Sequence, residues 1–181
     1  MRILGISGGG RKKSFNTALL NAATNLIGEN VSLYIFDVSK FPLYNQDIEN
    51  NPPDSVREFK RKIRECDAIL FSTPEFNYSI PAILKNAIEW GNRPSNDNSW
   101  ESKPAAIMSA SGGIRGGVRA QTILRQIMVD LNMHPINRPL LLVANASEKF
   151  DRNLRLIDEA TTDTLRKLLA SLADWTRRLT K

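Results

Sequence analysis

Apolar positions along this chain fall into two alternating patterns. Short runs dense in Ile, Leu, Val and Ala stand at Arg2–Ser7, Ser32–Asp37, Ala68–Ser72, Ala105–Ala110 and Leu140–Val143. Between and after them, apolar residues recur every three to four positions over Ser14–Gly28, Asp54–Cys66, Ile80–Trp90, Gly117–Leu131 and Asn153–Arg178. The first pattern predicts strands and the second predicts helices. Several strand runs are almost continuously apolar, as parallel strands covered on both faces are. The alternation predicts an α/β fold, a doubly wound five-stranded parallel sheet with helices on both faces.

Composition adds limits rather than detail. A chain of 181 residues, 41% hydrophobic and 24% charged, predicts a single domain over residues 1–181 that buries its own core. No apolar run approaches the roughly 20 residues needed to span a bilayer. The start, Met1-Arg2-Ile3-Leu4-Gly5-Ile6, turns glycine-rich too soon for a secretory signal, so a cytoplasmic location is expected. One cysteine, Cys66, and one histidine, His134, exclude an internal disulfide and a structural zinc set. Cys66 precedes an apolar run and reads as a small buried hydrophobe; His134 precedes Pro135 and reads as packed or exposed rather than catalytic. The net charge of +6 favours anionic ligands without naming them. Its densest run, Arg57, Lys60, Arg61, Lys62 and Arg64, is interleaved with Val56, Phe59 and Ile63 at helical spacing. That pattern reads as the solvated face of an amphipathic helix, and without interleaved aromatics it does not read as a nucleic-acid site.

In a doubly wound sheet, ligands bind beyond the carboxyl ends of the strands, at the point where strand order reverses. Three loops lie there. The first, Ser7-Gly8-Gly9-Gly10-Arg11-Lys12-Lys13-Ser14-Phe15-Asn16-Thr17, offers backbone amides, hydroxyls, a guanidinium and a helix start, all suited to phosphate. It is not a Walker A loop, which would need glycine where Ser7 and Lys12 stand, nor a dinucleotide fingerprint, which would need a small residue at Lys13. A flexible turn with an ordinary cap is the plainer alternative. The second loop, Pro74-Glu75-Phe76-Asn77-Tyr78-Ser79-Ile80-Pro81, sets an amide, an aromatic and a hydroxyl between two prolines. A stiff loop of that chemistry suits the edge and wall of a planar heterocycle, although aromatic loops also simply pack down. The third, Ser111-Gly112-Gly113-Ile114-Arg115-Gly116-Gly117, carries four glycines in six residues, permitting close approach of a ring or forming a mobile surface turn.

Ser7 through Asn16, Pro74–Pro81 with Leu84-Lys85-Asn86-Ala87-Ile88, the glycine-rich turn followed by Arg119-Ala120-Gln121, and Asn137-Arg138-Pro139 together resemble the NADPH-dependent FMN reductase family. That family includes quinone, azo-dye and chromate reductases, and the resemblance spans residues 2 to about 140. It implies a flavodoxin-like three-layer sandwich with strand order 2-1-3-4-5, the cofactors FMN and NADPH (or NADH), and a homodimer or homotetramer. It also implies that Ser7, Arg11, Ser14, Asn16 and Thr17 surround the FMN phosphate. Pro74, Glu75, Phe76, Asn77, Tyr78 and Ser79 would border the isoalloxazine and ribityl chain, with Ser111, Gly112, Gly113 and Gly116 closing the far side.

No side chain is expected to act as acid, base or nucleophile, because the flavin carries the hydride chemistry. Glu75 and Tyr78 are the candidates for shaping the acceptor face. Alternatively, Glu75 faces a partner subunit and pairs with Arg115, Arg119 or Arg125. The chain departs from the family at Gly9-Gly10, where Ser-Leu is common, at Lys13, where a small residue is usual, and at Phe76, where tyrosine is common. The expected activity is hydride transfer from NAD(P)H to a small acceptor such as a quinone, an azo compound or chromate, with neither nucleic acid nor membrane as partner. The competing readings are a flavodoxin-like electron carrier, against which the positive charge argues, and a non-catalytic flavin- or phosphate-binding module.

Overall fold

The computed structural model describes residues 1–179; residues 180 and 181, included in the single-domain expectation, lie outside the described residues. In chain order the elements are β1 (Arg2–Ser7), α1 (Phe15–Leu26), β2 (Ser32–Phe36), a short 3-10 turn (Gln46–Ile48), α2 (Asp54–Glu65), β3 (Ala68–Ser72) and α3 (Ala82–Gly91). They continue with β4 (Pro104–Ala110), α4 (Val118–Asp130), β5 (His134–Pro135), β6 (Leu141–Val143), α5 (Ala146–Lys149) and α6 (Glu159–Leu179). The sheet is parallel in the order β2-β1-β3-β4-β5, as the doubly wound reading requires.

The central strands are apolar on both faces, and alternate residues enter different cores. Leu4, Ile6, Ile69, Phe71, Ala105 and Ile107 meet α2, α3 and α4, while Ile3, Leu70, Ala106 and Met108 meet α1 and α6. Trp100 anchors the first core, buried between Phe59 and Phe71, with its indole N–H donated to the Ile88 carbonyl at 3.1 Å.

Three expectations change. The last strand is two pieces: β5 pairs with the start of β4 and β6 with its end, so both occupy the same edge position. Pro135 and Pro139 lack amide hydrogens, which confines continuous pairing there to Ile136, whose N–H reaches the Ala105 carbonyl at 2.8 Å. His134 consequently sits in a strand, half-buried, its carbonyl accepting the Trp175 indole N–H at 2.9 Å.

The C-terminal helix begins at Glu159 rather than Asn153. Asp151 Oδ1 accepts the N–H groups of Asn153 and Arg155, each at 2.8 Å, and folds residues 151–156 into a tight strap. Asp158 then caps the helix through the Thr161 N–H at 2.9 Å. Such carboxylates compete with helical bonding until a true cap is reached.

On α2 the basic run is not a uniformly solvated face. Lys60 is buried, with Nζ 2.7 Å from Asp97 Oδ2, and Arg64 also pairs with Asp97. Burial pushes the Asp97 carboxyl up, but hydrogen bonding and charge from Lys60, with Arg64, overcome it and hold the group below the usual carboxylate range. Arg61 binds Glu58 and Glu65, and Arg57 binds Asp54. The cations mostly answer carboxylates of the same chain.

Candidate functional site at the carboxyl edge of the sheet

Strand order reverses between β1 and β3, and the chain leaves those two strands in opposite directions. The strand ends align there: Ser7 pairs with Ser72, and Ser72 with Met108. A cleft of about 600 Å³ opens above them, within the range of small-molecule sites. All three loops singled out in the sequence contribute to its lining.

The first loop is held by its own hydroxyls. Ser7 Oγ accepts the Gly9 N–H at 3.1 Å and bonds Thr17 Oγ1 at 2.8 Å, while Ser14 Oγ accepts the Thr17 N–H at 3.3 Å and caps α1. A Cβ at Gly9 would stand 1.9 Å from Ser14 Oγ. The glycine that departs from the family pattern therefore makes room for the cap. Arg11 and Ser14 line the cleft; Ser7 does not, and Thr17 faces a neighbouring cleft instead. Arg11 is exposed, its guanidinium 5.3 Å from the Phe15 ring centroid.

Asn16 is buried with most of its amide engaged. Its Nδ2 donates to the Ala110 carbonyl at 2.9 Å, and its Oδ1 accepts the Ala110 N–H at 2.9 Å and the Ser72 hydroxyl at 3.2 Å. This residue ties α1 to the ends of β3 and β4, so it shapes the cleft wall by holding three elements in register.

The second loop is a tight turn. Phe76 and Ser79 exchange backbone hydrogen bonds of 2.9 Å each, with Asn77 and Tyr78 at φ +48° and +67° between them. The stiffness expected from two prolines comes largely from this turn. Pro74, Glu75 and Phe76 line the cleft, whereas Asn77, Tyr78 and Ser79 stand outside its lining. Tyr78 is 67% exposed, beneath the Arg119 guanidinium at 3.8 Å from its centroid.

Glu75 settles into neither of its two expected roles alone. Its Oε2 accepts the N–H of Arg119 at 2.9 Å and of Ala120 at 3.4 Å, and its Oε1 pairs with Arg119 Nη1 at 3.2 Å. α4 starts after Gly117, which has no side chain to cap it, so a carboxylate from 44 residues upstream supplies the cap. The Arg119 pairing falls within one chain, and the Arg125 guanidinium instead donates to the Ile136 carbonyl at 2.9 Å. Burial pushes Arg125 below its usual value.

The third loop divides in two. Gly116 and Gly117 have φ of +59° and +85°, and a Cβ would come within 2.8 Å of the Leu142 backbone at the first and 2.7 Å of Ser109 Cβ at the second. Both positions are demanded by the turn into α4, and Gly116 does not line the cleft. Ser109 donates its hydroxyl hydrogen to the Gly116 carbonyl, and buried Gln121 donates to Ser109 Oγ at 2.8 Å and the Leu141 carbonyl at 2.9 Å. Gly112 and Gly113 differ: neither has positive φ, both are exposed, and a Cβ at Gly112 meets nothing within 4 Å. Ser111 and Gly112 line the cleft; Gly113 stands beside it.

Eight of the fifteen expected residues line one cleft, and their chemistry fits a flavin phosphate and ring. An exposed guanidinium and a capped helix start stand at one end. Stiff aromatic backbone and an uncrowded glycine stand at the other. Glu75 adds little net negative charge because Arg119 answers it. Ile83, Pro81 and Phe15 also line the cleft. Their signal was available in the sequence, since Pro81 and Ile83 open the helix that follows the second loop.

Cys66 is buried, and burial pushes its thiol up to about 11, in keeping with a packing role. Among the described residues, no group of three or more His, Cys, Asp or Glu side chains is placed to hold a metal ion. None of the described helices is long and apolar enough to cross a membrane.

Known proteins resemble this chain along most of its length. The sequence profile described as NADPH-dependent FMN reductase matches residues 1–148. An NAD(P)H-dependent FMN reductase of Pseudomonas aeruginosa is 42% identical over 180 residues, covering 99% of this chain and 97% of that protein. An NADPH:quinone oxidoreductase of Arabidopsis thaliana is 45% identical over 186 residues, covering 99% and 93%. The solved structure of a flavoenzyme NAD(P)H:(acceptor) oxidoreductase from Paracoccus denitrificans superposes with a TM-score of 0.90 at 30% identity, covering 98% and 97%. The chain belongs to the NADPH-dependent FMN reductase family and is a flavodoxin-like oxidoreductase that works with FMN and NAD(P)H.

Proposed function

We propose that this protein reduces quinones with electrons from NAD(P)H, holding FMN in the cleft between its three loops. The observation that carries the proposal is the meeting of all three loops around one cleft, where Gly112 leaves a bare, exposed wall that no packing need of the chain explains. When bound, FMN would supply the hydride chemistry between NAD(P)H and the acceptor, with Arg11, Ser14, Pro74, Glu75, Phe76, Ser111 and Gly112 as the residues that would hold it.

The chain's own residues bind and orient. Arg11 and the capped start of α1 hold the phosphate end, and Pro74, Glu75 and Phe76 border the ring. Ser7, Asn16 and Thr17 act behind them by fixing the loop and strand ends. Phe76, 59% exposed in the cleft lining, offers aromatic surface for the nicotinamide and then a flat acceptor, with Tyr78 exposed on the same turn outside the lining. Asn77 and Ser79 hold the turn that presents them. No side chain is assigned a proton transfer.

We further propose that residues 1–181 act as one flavin-binding domain, working in the cytoplasm as a homodimer or homotetramer. Exposed Ile114, Val118 and Val129 support association through the α4 side of the molecule. The intramolecular pairing of the α2 cations supports the exclusion of nucleic acid as a partner.

The test is anaerobic. FMN-loaded protein is mixed with NADPH or NADH, the loss of flavin absorbance is followed, and benzoquinone, an azo dye, chromate or oxygen is then added. Bleaching by a nicotinamide and fastest recovery with the quinone are expected. FMN that binds but is bleached by neither nicotinamide overturns the reading and leaves the electron-carrier alternative.

A further inference from the structure

Among the described residues, the charged side chains that line the flavin cleft are Arg11 and Glu75 alone. In the reading above Arg11 serves the phosphate end, so the one charged side chain beside the ring is Glu75. Its sign opposes the chemistry. A hydride passed from NAD(P)H to FMN brings two electrons and one proton, so the ring gains a negative charge while the nicotinamide becomes a cation. An unanswered carboxylate facing the ring would therefore favour oxidised FMN.

Arg119 answers that carboxylate from outside the cleft lining. Its Nη1 stands 3.2 Å from Glu75 Oε1, and its backbone N–H donates to Oε2 at 2.9 Å. The Tyr78 ring, with its centroid 3.8 Å away, fixes the guanidinium from a second side. The side chains of Glu75 and Arg119 are 13% and 33% exposed, so solvent screens this pair less than the open pairs of α2. The first turn of α4 adds its positive end at the same carboxylate.

We propose that Arg119 is a positioning residue that raises the reduction potential of bound FMN by holding Glu75 in a neutralised pair. This inference rests on the flavin cleft proposed above. The contact that completes the start of α4 thereby also tunes the cofactor. A pair that only stiffened the second loop would behave differently. Loss of either partner would loosen the same contact and shift the potential in the same direction.

The two-electron potential of FMN-loaded full-length protein is measured by anaerobic equilibration with a redox dye. The proteins are the wild type, Arg119→Gln, Glu75→Gln, Arg119→Lys and the double variant Arg119→Gln with Glu75→Gln. Arg119→Gln is expected to lower the equilibrium constant for FMN reduction at least about threefold, about 14 mV for a two-electron couple. Glu75→Gln is expected to raise it at least as much, with the double variant between the two. Arg119→Lys keeps the charge and is expected to stay closer to the wild type than Arg119→Gln. Shifts of the same sign in the two single glutamine variants, or a smaller fall in Arg119→Gln, overturn the proposal and leave the flavin cleft standing, because FMN is still bound. Where Arg119→Gln does not fold, a rise smaller than threefold in Glu75→Gln overturns it. Wild-type protein that binds no FMN overturns the flavin cleft and this inference together.

Discussion

Two glycine pairs sit four residues apart in one loop and answer to different masters. Gly116 and Gly117 have left-handed backbone and no room for a Cβ, because β6 and Ser109 press against them. Gly112 and Gly113 have ordinary backbone, open space and solvent exposure. The first pair belongs to the fold: it turns the chain into α4, where the Glu75 carboxylate completes the helix start. The second pair is under no such demand, and we propose a ligand role for it because Gly112 lines the cleft. Glycine-richness alone does not distinguish a binding loop from a structural turn; the space around each missing Cβ does.

The largest expected effect tests the structural pair. Gly117→Ala combines left-handed strain with a clash on Ser109, and should cost about 2–4 kcal/mol in chemical denaturation. Gly112→Val should leave stability within about 0.5 kcal/mol yet weaken FMN binding about tenfold, or about 1.4 kcal/mol, measured by fluorescence quenching. Equal stability losses at Gly112 and Gly117 would erase the distinction.

Glu75→Ala sharpens the structural side further. Losing the cap of α4 should cost about 1 kcal/mol, with Glu75→Gln recovering part of it through its remaining carbonyl oxygen. The smallest effect is a pH dependence at the other carboxylate-capped helix, remote from the flavin cleft. A hydrogen bond from Lys149, and then bonds from Thr161, hold Asp158 down at about 2, below its ordinary value of 3.8. The unfolded chain therefore binds that proton more readily. Its contribution to stability should be complete above about pH 4 and fade as pH falls toward 2. Acid-denaturation curves of Asp158→Asn should lack that component, whereas Gly112→Val should retain it.

The doubly wound architecture was legible because its signals are local. Buried runs such as Ala68–Ser72, amphipathic stretches such as Asp54–Glu65 and the glycine- or proline-marked loops each carry their own pattern within a few residues. The three loops of the cleft were legible for the same reason. The split edge strand was readable only in part, since Pro135 and Pro139 mark where pairing fails but not that both fragments return to β4. The strap before α6 was hidden because Leu154 and Leu156 look helical until the Asp151 carboxylate draws the backbone away.

By itself, then, the amino-acid order determined most of the strands and helices, pointed to the carboxyl edge of the sheet as the candidate site and indicated the cofactor family that its loops resemble. The tertiary structure decided what individual polar residues do there. Asn16 meets Ala110 across 94 positions, Glu75 meets α4 across 44, and Lys60 meets Asp97 across 37. Hydrophobic periodicity reports only which face of an element is buried. The partner of a buried amide or carboxylate is selected by whichever unpaired backbone or charge the packed fold brings within about 3 Å, and no spacing rule along the chain encodes that meeting.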